Sequence, residues 1–72
     1  MHFVYPNLVS VMENKGLGYK DIADILGINE YAAYRRLRGL VGWKLQETLY
    51  LSKYFDSSTS WLFECDVTTR NI

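Results

Sequence analysis

Three glycines, Gly16, Gly27 and Gly39, cut the first half of the chain into amphipathic runs too short for anything but small helices. Glycine is a poor helix interior residue and a good helix terminator, so this spacing constrains the fold more than any other feature. Pro6 suits a first helical position, and Leu8, Val11 and Met12 follow at spacings of three and four. A first helix is therefore predicted over residues 6–15, stopped by Gly16. After the link Leu17-Gly18, the residues Ile22, Ala23, Ile25 and Leu26 give the apolar side of a second helix of barely two turns that ends at Gly27. Asn29 is a good N-cap for a third helix over residues 30–37, with Glu30 in its positive first turn and Gly39 closing it.

Beyond Gly39 the pattern loosens. Residues 40–44 have no periodicity and read as a loop anchored by Trp43. Positions 45, 48, 49, 52 and 55 are read as one face of a fourth helix reaching Tyr54 or Phe55, with Tyr50, Leu51 and Tyr54 off that stripe. Residues 56–60 offer several caps, and Trp61-Leu62-Phe63 reads as a short fifth helix folded back on the core. The tail 66–72 is read as loose. With no convincing strand alternation and no repeat, the expectation is one all-α domain of four to five helices over residues 1–72, its core within about 6–64.

The 72 residues are 49% hydrophobic, enough for one small core and too few for a second domain. Cys65 is the single cysteine, so no internal disulfide forms, and it reads as a buried or partly buried thiol in a reducing compartment. The start lacks the pattern of a signal peptide, and no segment approaches the ~18 apolar residues of a membrane span. A soluble, cytoplasmic protein is expected. Enzyme chemistry finds no support: His2 is the only histidine, with no nucleophile or acid beside it in any motif. Asp21 and Asp24 share a helix side but read as solvated surface acids, and the glycines form no phosphate loop. No catalytic residue, metal ligand, cofactor or small-molecule ligand is expected.

Net charge is zero, yet it is unevenly placed. Residues 15–44 carry six bases against three acids, and the rest carries two bases against five acids, so the middle is +3 and the remainder −3. A chain polarised in this way can turn one positive face to a polyanion. Two short helices joined by a tight glycine turn bury little alone, but packed on a first and a fourth helix they make a helix-turn-helix. Ala23, four residues before Gly27, lets the third helix approach closely; Gly27 takes the left-handed backbone of the turn, and Ile28 plugs the corner.

In these residues the chain resembles the Cro and cI repressor-like (XRE-type) helix-turn-helix family, especially the short regulators of phages and prophages. The resemblance covers about residues 6–64. It is carried by Pro6-Asn7-Leu8, Lys15-Gly16-Leu17, the run from Lys20 to Ile28, then Arg35, Leu37 and Gly39, Leu45 with Glu47 and Leu49, and Trp61-Leu62-Phe63-Glu64. It implies a compact lambda-repressor-like DNA-binding domain that acts on an operator without catalysis. The chain departs from the family in lacking Ser or Thr caps at Gly18 and Lys44, where weaker caps are expected, in having Tyr19 where a polar residue is usual, and in having the small Ala33 where a branched apolar residue is common.

At about 100° per residue, Ala33 and Leu37 point to the core while Tyr31, Arg35 and Arg38 point away. If the third helix lies in a major groove, Glu30, Tyr31, Ala32 and Arg35 are within reach of base edges. Arg35 is matched to guanine, Ala32 to a thymine methyl and Glu30 to a cytosine amino group. Tyr19, Lys20, Tyr34, Arg38 and Lys44 are the candidate phosphate contacts, Tyr34 lying between the faces and equally suited to the rim of the core. Arg36 has no assigned place. Lys15 and Lys53 read as plain surface residues. Double-stranded DNA is the expected partner, with a homodimer formed through the C-terminal aromatics Tyr50, Tyr54, Phe55, Trp61 and Phe63, unless those five simply complete the core. The alternative is a protein-interaction module on the same fold that binds a partner regulator, which Glu30, Tyr31 and Tyr34 would also suit.

Overall fold

The computed structural model describes residues 4–65 as five helices: α1 (Pro6–Asn14), α2 (Tyr19–Leu26), α3 (Glu30–Leu37), α4 (Leu45–Tyr54) and α5 (Thr59–Leu62). No strand occurs among the described residues. His2 and the tail 66–72, expected to be loose, lie outside the described residues.

Three arrangements settle the helix starts. Pro6 occupies the first position of α1, where its missing N–H costs nothing. The Asn29 side chain accepts from the Ala32 amide at 2.7 Å, and the Ser58 hydroxyl accepts from the Trp61 amide at 3.3 Å. At Gly18 and Lys44 the expected weakness is offset from the other side of the turn. Asp21 accepts from the Gly18 amide at 2.8 Å and Glu47 from the Lys44 amide at 2.9 Å, each acid reaching back over one turn.

The helix ends share one device. After α1, α2, α3 and α4 a residue with positive φ (Gly16, Gly27, Gly39 and Asp56) reverses the chain. The next amide then bonds a carbonyl five residues back: Leu17 to Met12, Ile28 to Ala23, Leu40 to Arg35, and Ser57 to Ser52, at 2.8–3.0 Å. Gly39 has a second reason to be glycine, since a β-carbon there would stand 3.0 Å from a methyl of Val4.

The core gathers Tyr5, Leu8 and Met12 from the α1 side, Ile22 and Ala23 from α2, Ala33 from α3, Leu51 and Phe55 from the α4 side, and Leu62 from α5. Ala33 and Ala23 are small and fully enclosed, which lets α3 lie directly on α2. Trp43 anchors the α3–α4 loop as expected: its ring meets Phe63 edge-on at 5.2 Å and Tyr5 at 6.1 Å. The expected inner face of α4 holds at positions 48, 52 and 55 and fails at 45 and 49. Leu45 is 73% exposed and Leu49 49% exposed, while Glu47, Leu51 and Ser52 are buried on the helix and Phe55 just beyond it. The inner stripe is thus 47, 48, 51, 52 and 55, rotated from the apolar reading because one buried position holds a carboxylate. Ser52 donates to the Thr48 carbonyl and bonds the Thr59 hydroxyl at 2.9 Å, tying α4 to α5. Asn7 donates to the Trp61 carbonyl at 2.8 Å and closes α1 onto α5.

Candidate nucleic-acid interface

The outer face of α3 is built by spacing. Tyr31 and Arg35 are four residues apart, as are Tyr34 and Arg38, so each arginine lies one turn beyond a ring. The Arg35 guanidinium carbon stands 5.6 Å from the centre of the Tyr31 ring, and that of Arg38 5.6 Å from the Tyr34 ring. Arg38 also donates to the Tyr34 hydroxyl at 2.8 Å. The two rings lie 20° from parallel with centres 6.4 Å apart, and Tyr19, from the start of α2, meets Tyr34 edge-on at 5.7 Å. Three tyrosines and two arginines from two helices therefore make one continuous surface.

The predicted base-reading residues divide cleanly. Glu30, Tyr31 and Arg35 are exposed and Ala32 is half-buried beside them. Of the predicted phosphate contacts, Lys20, Arg38 and Lys44 are exposed, and Tyr19 and Tyr34 stand at the border of exposure. Tyr34 belongs to the outer surface through Tyr19, Tyr31 and Arg38. Since its oxygen accepts from Arg38, its own O–H remains to donate outward. The sequence places Tyr31, Arg35 and Arg38 on one side without pairing them; the i, i+4 repetition of tyrosine and arginine is the signal that carries the pairing.

Arg36 is the residue whose role the spacing left open. It turns inward, against its two neighbouring arginines, and its Nε donates to Glu47 Oε1 at 2.8 Å. Its Nη1 donates to the Ala32 carbonyl at 3.2 Å. Glu47 Oε1 thus takes hydrogen bonds from Arg36 and from the Lys44 amide, joining α3 to the start of α4. No Cα of α3 comes within 8 Å of a Cα of α4, so only long side chains span this gap. Burial alone would push the Glu47 carboxyl up. The Arg36 and Lys44 hydrogen bonds and the charges of both residues outweigh it, holding the group below the ordinary glutamate range.

The five C-terminal aromatics split as well. Phe55 is core and Phe63 packs against it, whereas Tyr50, Tyr54 and Trp61 are about half exposed. Leu49 and Tyr50 line an open apolar groove with Lys53, Asp56 and Thr59, between α4 and the start of α5. Cys65 is a half-buried free thiol. Among the described residues no group of three or more His, Cys, Asp or Glu is placed to hold a metal, and no helix is long and apolar enough to cross a membrane.

Five short helices, with the second and third joined by Gly27-Ile28-Asn29 and the third presenting an arginine-rich outer face, define a small helix-turn-helix domain. The chain belongs to the BetR domain family, whose model matches residues 4–71. That is a small helical DNA-binding-like family. Neither a curated protein nor a solved structure matches the chain.

Proposed function

We propose that this BetR domain is a sequence-specific DNA-binding transcriptional regulator of the Cro and cI (XRE) kind found in phages and prophages, acting without catalysis by occupying an operator. The observation that carries the reading is the sorting of the three arginines of α3. Arg35 and Arg38 are held outward on tyrosine rings, and Arg36 is spent on fixing the helix. In a major groove, α3 would set Arg35 against a guanine edge, with Glu30, Tyr31 and Ala32 beside it. Lys20 and Tyr19 at the start of α2, Tyr34 with Arg38, and Lys44 would bond phosphates on the flanks.

A domain this small makes few base contacts, so the reading includes a homodimer that presents two copies of α3 to successive grooves. The half-exposed Leu49, Tyr50 and Tyr54 support that part. The same surface also favours the second reading, a module whose partner is another protein.

A random-duplex selection on the purified protein, with its mass measured in solution, tests the proposal. The expected result is a defined preferred site whose affinity falls steeply with salt, by a slope that one charge-removing substitution at Arg38 reduces by about one. Failure to enrich any duplex, or binding indifferent to salt, would sink the DNA reading in favour of the protein-partner one.

A further inference from the structure

Tyr31 is 67% exposed, the most exposed aromatic side chain on α3, and it sits where a recognition helix meets base edges. A large ring left so open gains nothing from the core. Its ring contacts are the Arg35 guanidinium and the stacked Tyr34 ring, and with Tyr19, Glu30 and Tyr34 it lines a shallow cleft. Three of the four residues lining the cleft are aromatic, so it offers an apolar recess whose Tyr31 wall also carries a forked donor.

We propose that Tyr31 is a specificity-determining residue that reads a thymine methyl in the base pair adjacent to the guanine read by Arg35; this inference rests on the DNA-binding reading above. An arginine fork places two parallel N–H bonds on a guanine only when its plane lies near that of the base pair. A ring flanking the guanidinium then stands at the level of the neighbouring pair. On the major-groove edge of that pair, the one apolar group any base offers is the C5-methyl of thymine. The Tyr31 ring and the cleft it shares with Tyr19 and Tyr34 receive that methyl, and the pair Tyr31–Arg35 reads two successive base pairs as one unit. The contact uses the ring and not the hydroxyl.

The experiment begins with the preferred duplex from the selection. Arg35→Ala identifies its guanine as the position where preference relaxes. The thymine of the adjacent pair is then replaced by uracil, which removes the methyl and changes nothing else. Wild-type protein should bind the thymine duplex about fourfold more tightly than the uracil duplex, the equivalent of burying one methyl. Tyr31→Phe should keep that ratio and Tyr31→Ala should reduce it to about one. Equal affinity of the wild type for both duplexes, an unchanged ratio in Tyr31→Ala, or a selected site with cytosine in place of that thymine, bonded instead by Glu30, would each overturn the inference. All three leave salt-dependent, site-specific binding intact, so they are distinguishable from failure of the DNA reading, which enriches no duplex at all.

Discussion

Helices α3 and α4 both carry aromatic side chains on their outer faces, but only those of α3 are tied down. Tyr31 and Tyr34 each hold an arginine one turn on, and Tyr19 meets the Tyr34 ring from α2. On α4, Leu45, Leu49, Tyr50 and Tyr54 stand open, with Tyr54 meeting only the ring of its neighbour Phe55 at 5.1 Å among the described ring contacts. A preset face with fixed donors suits a rigid, charged surface. An open apolar face suits a partner that covers it. The two helices are joined through Arg36 and Glu47, so the comparison can be broken at that link or sharpened on either side.

The largest effect belongs to the link. Arg36→Ala leaves the Glu47 carboxylate buried without its cation, and removing one partner of such a pair costs about 2–4 kcal/mol at this slight exposure. The denaturation midpoint should fall accordingly, with the slope unchanged. Replacing both Arg36 and Glu47 by leucine should cost much less than Arg36→Ala alone, since no charge is then stranded. The pH dependence follows from the same pair. Because the Glu47 carboxyl is lowered on folding, its contribution is complete above the ordinary glutamate pKa, about 4.3, and is lost as pH falls through the lower folded value. Acid titration of the wild type should show this loss, and Glu47→Gln should remove it.

The next effect concerns the preset face alone. Arg35→Ala should leave thermal stability within about 0.5 kcal/mol, because the side chain is exposed. Affinity for the preferred duplex should drop by about 1–3 kcal/mol, with much less change for random duplex. Parallel melting and binding titrations check both halves; an equal loss on all duplexes would make Arg35 a phosphate contact.

How much of this was legible follows from the kind of signal each feature leaves. The α3 boundaries are readable because Asn29 and Gly39 are local devices whose partners lie within one turn. The α4 face is misread because Glu47 looks like a surface residue and Leu45 like a core one, and periodicity within one helix cannot see a cation eleven residues upstream. Arg36 was undetermined for the same reason. The end of α4 at Tyr54 is legible, but the turn at Asp56 that makes it is not, because a left-handed aspartate looks like any other polar residue in a capping run. The outer face of α3 was legible as a face, since exposure follows from angle; its internal pairing was present in the spacing of Tyr31 with Arg35 and Tyr34 with Arg38.

Glycine substitutions sharpen the comparison through the anchoring of α3. Gly27 and Gly39 have nearly the same backbone, with φ of +71° and +75°, but a β-carbon at Gly27 meets open space while one at Gly39 meets Val4. Gly27→Ala should therefore cost about 1 kcal/mol, the ordinary penalty of a left-handed residue. Gly39→Ala should cost about 2 kcal/mol, and in the Val4→Ala background the excess should shrink. Identical losses at the two positions would show that Val4 yields freely.

The smallest effect lies at the end of α4, where Asp56 does without glycine what Gly39 does for α3. At a φ of +53° aspartate is tolerated better than most residues but still less well than glycine, which in turn gives the unfolded chain more freedom. These opposing terms nearly cancel, so Asp56→Gly should move stability by less than about 1 kcal/mol. Its use is in the groove, where Asp56 and Lys53 flank Leu49 and Tyr50. If a second copy covers this face, loss of the acid should weaken self-association in sedimentation experiments while melting of the monomer stays put, and Leu49→Lys should do so more strongly. If neither substitution alters the mass in solution, the open face of α4 is not where copies of this chain meet, and the contrast with α3 must be explained by a different partner.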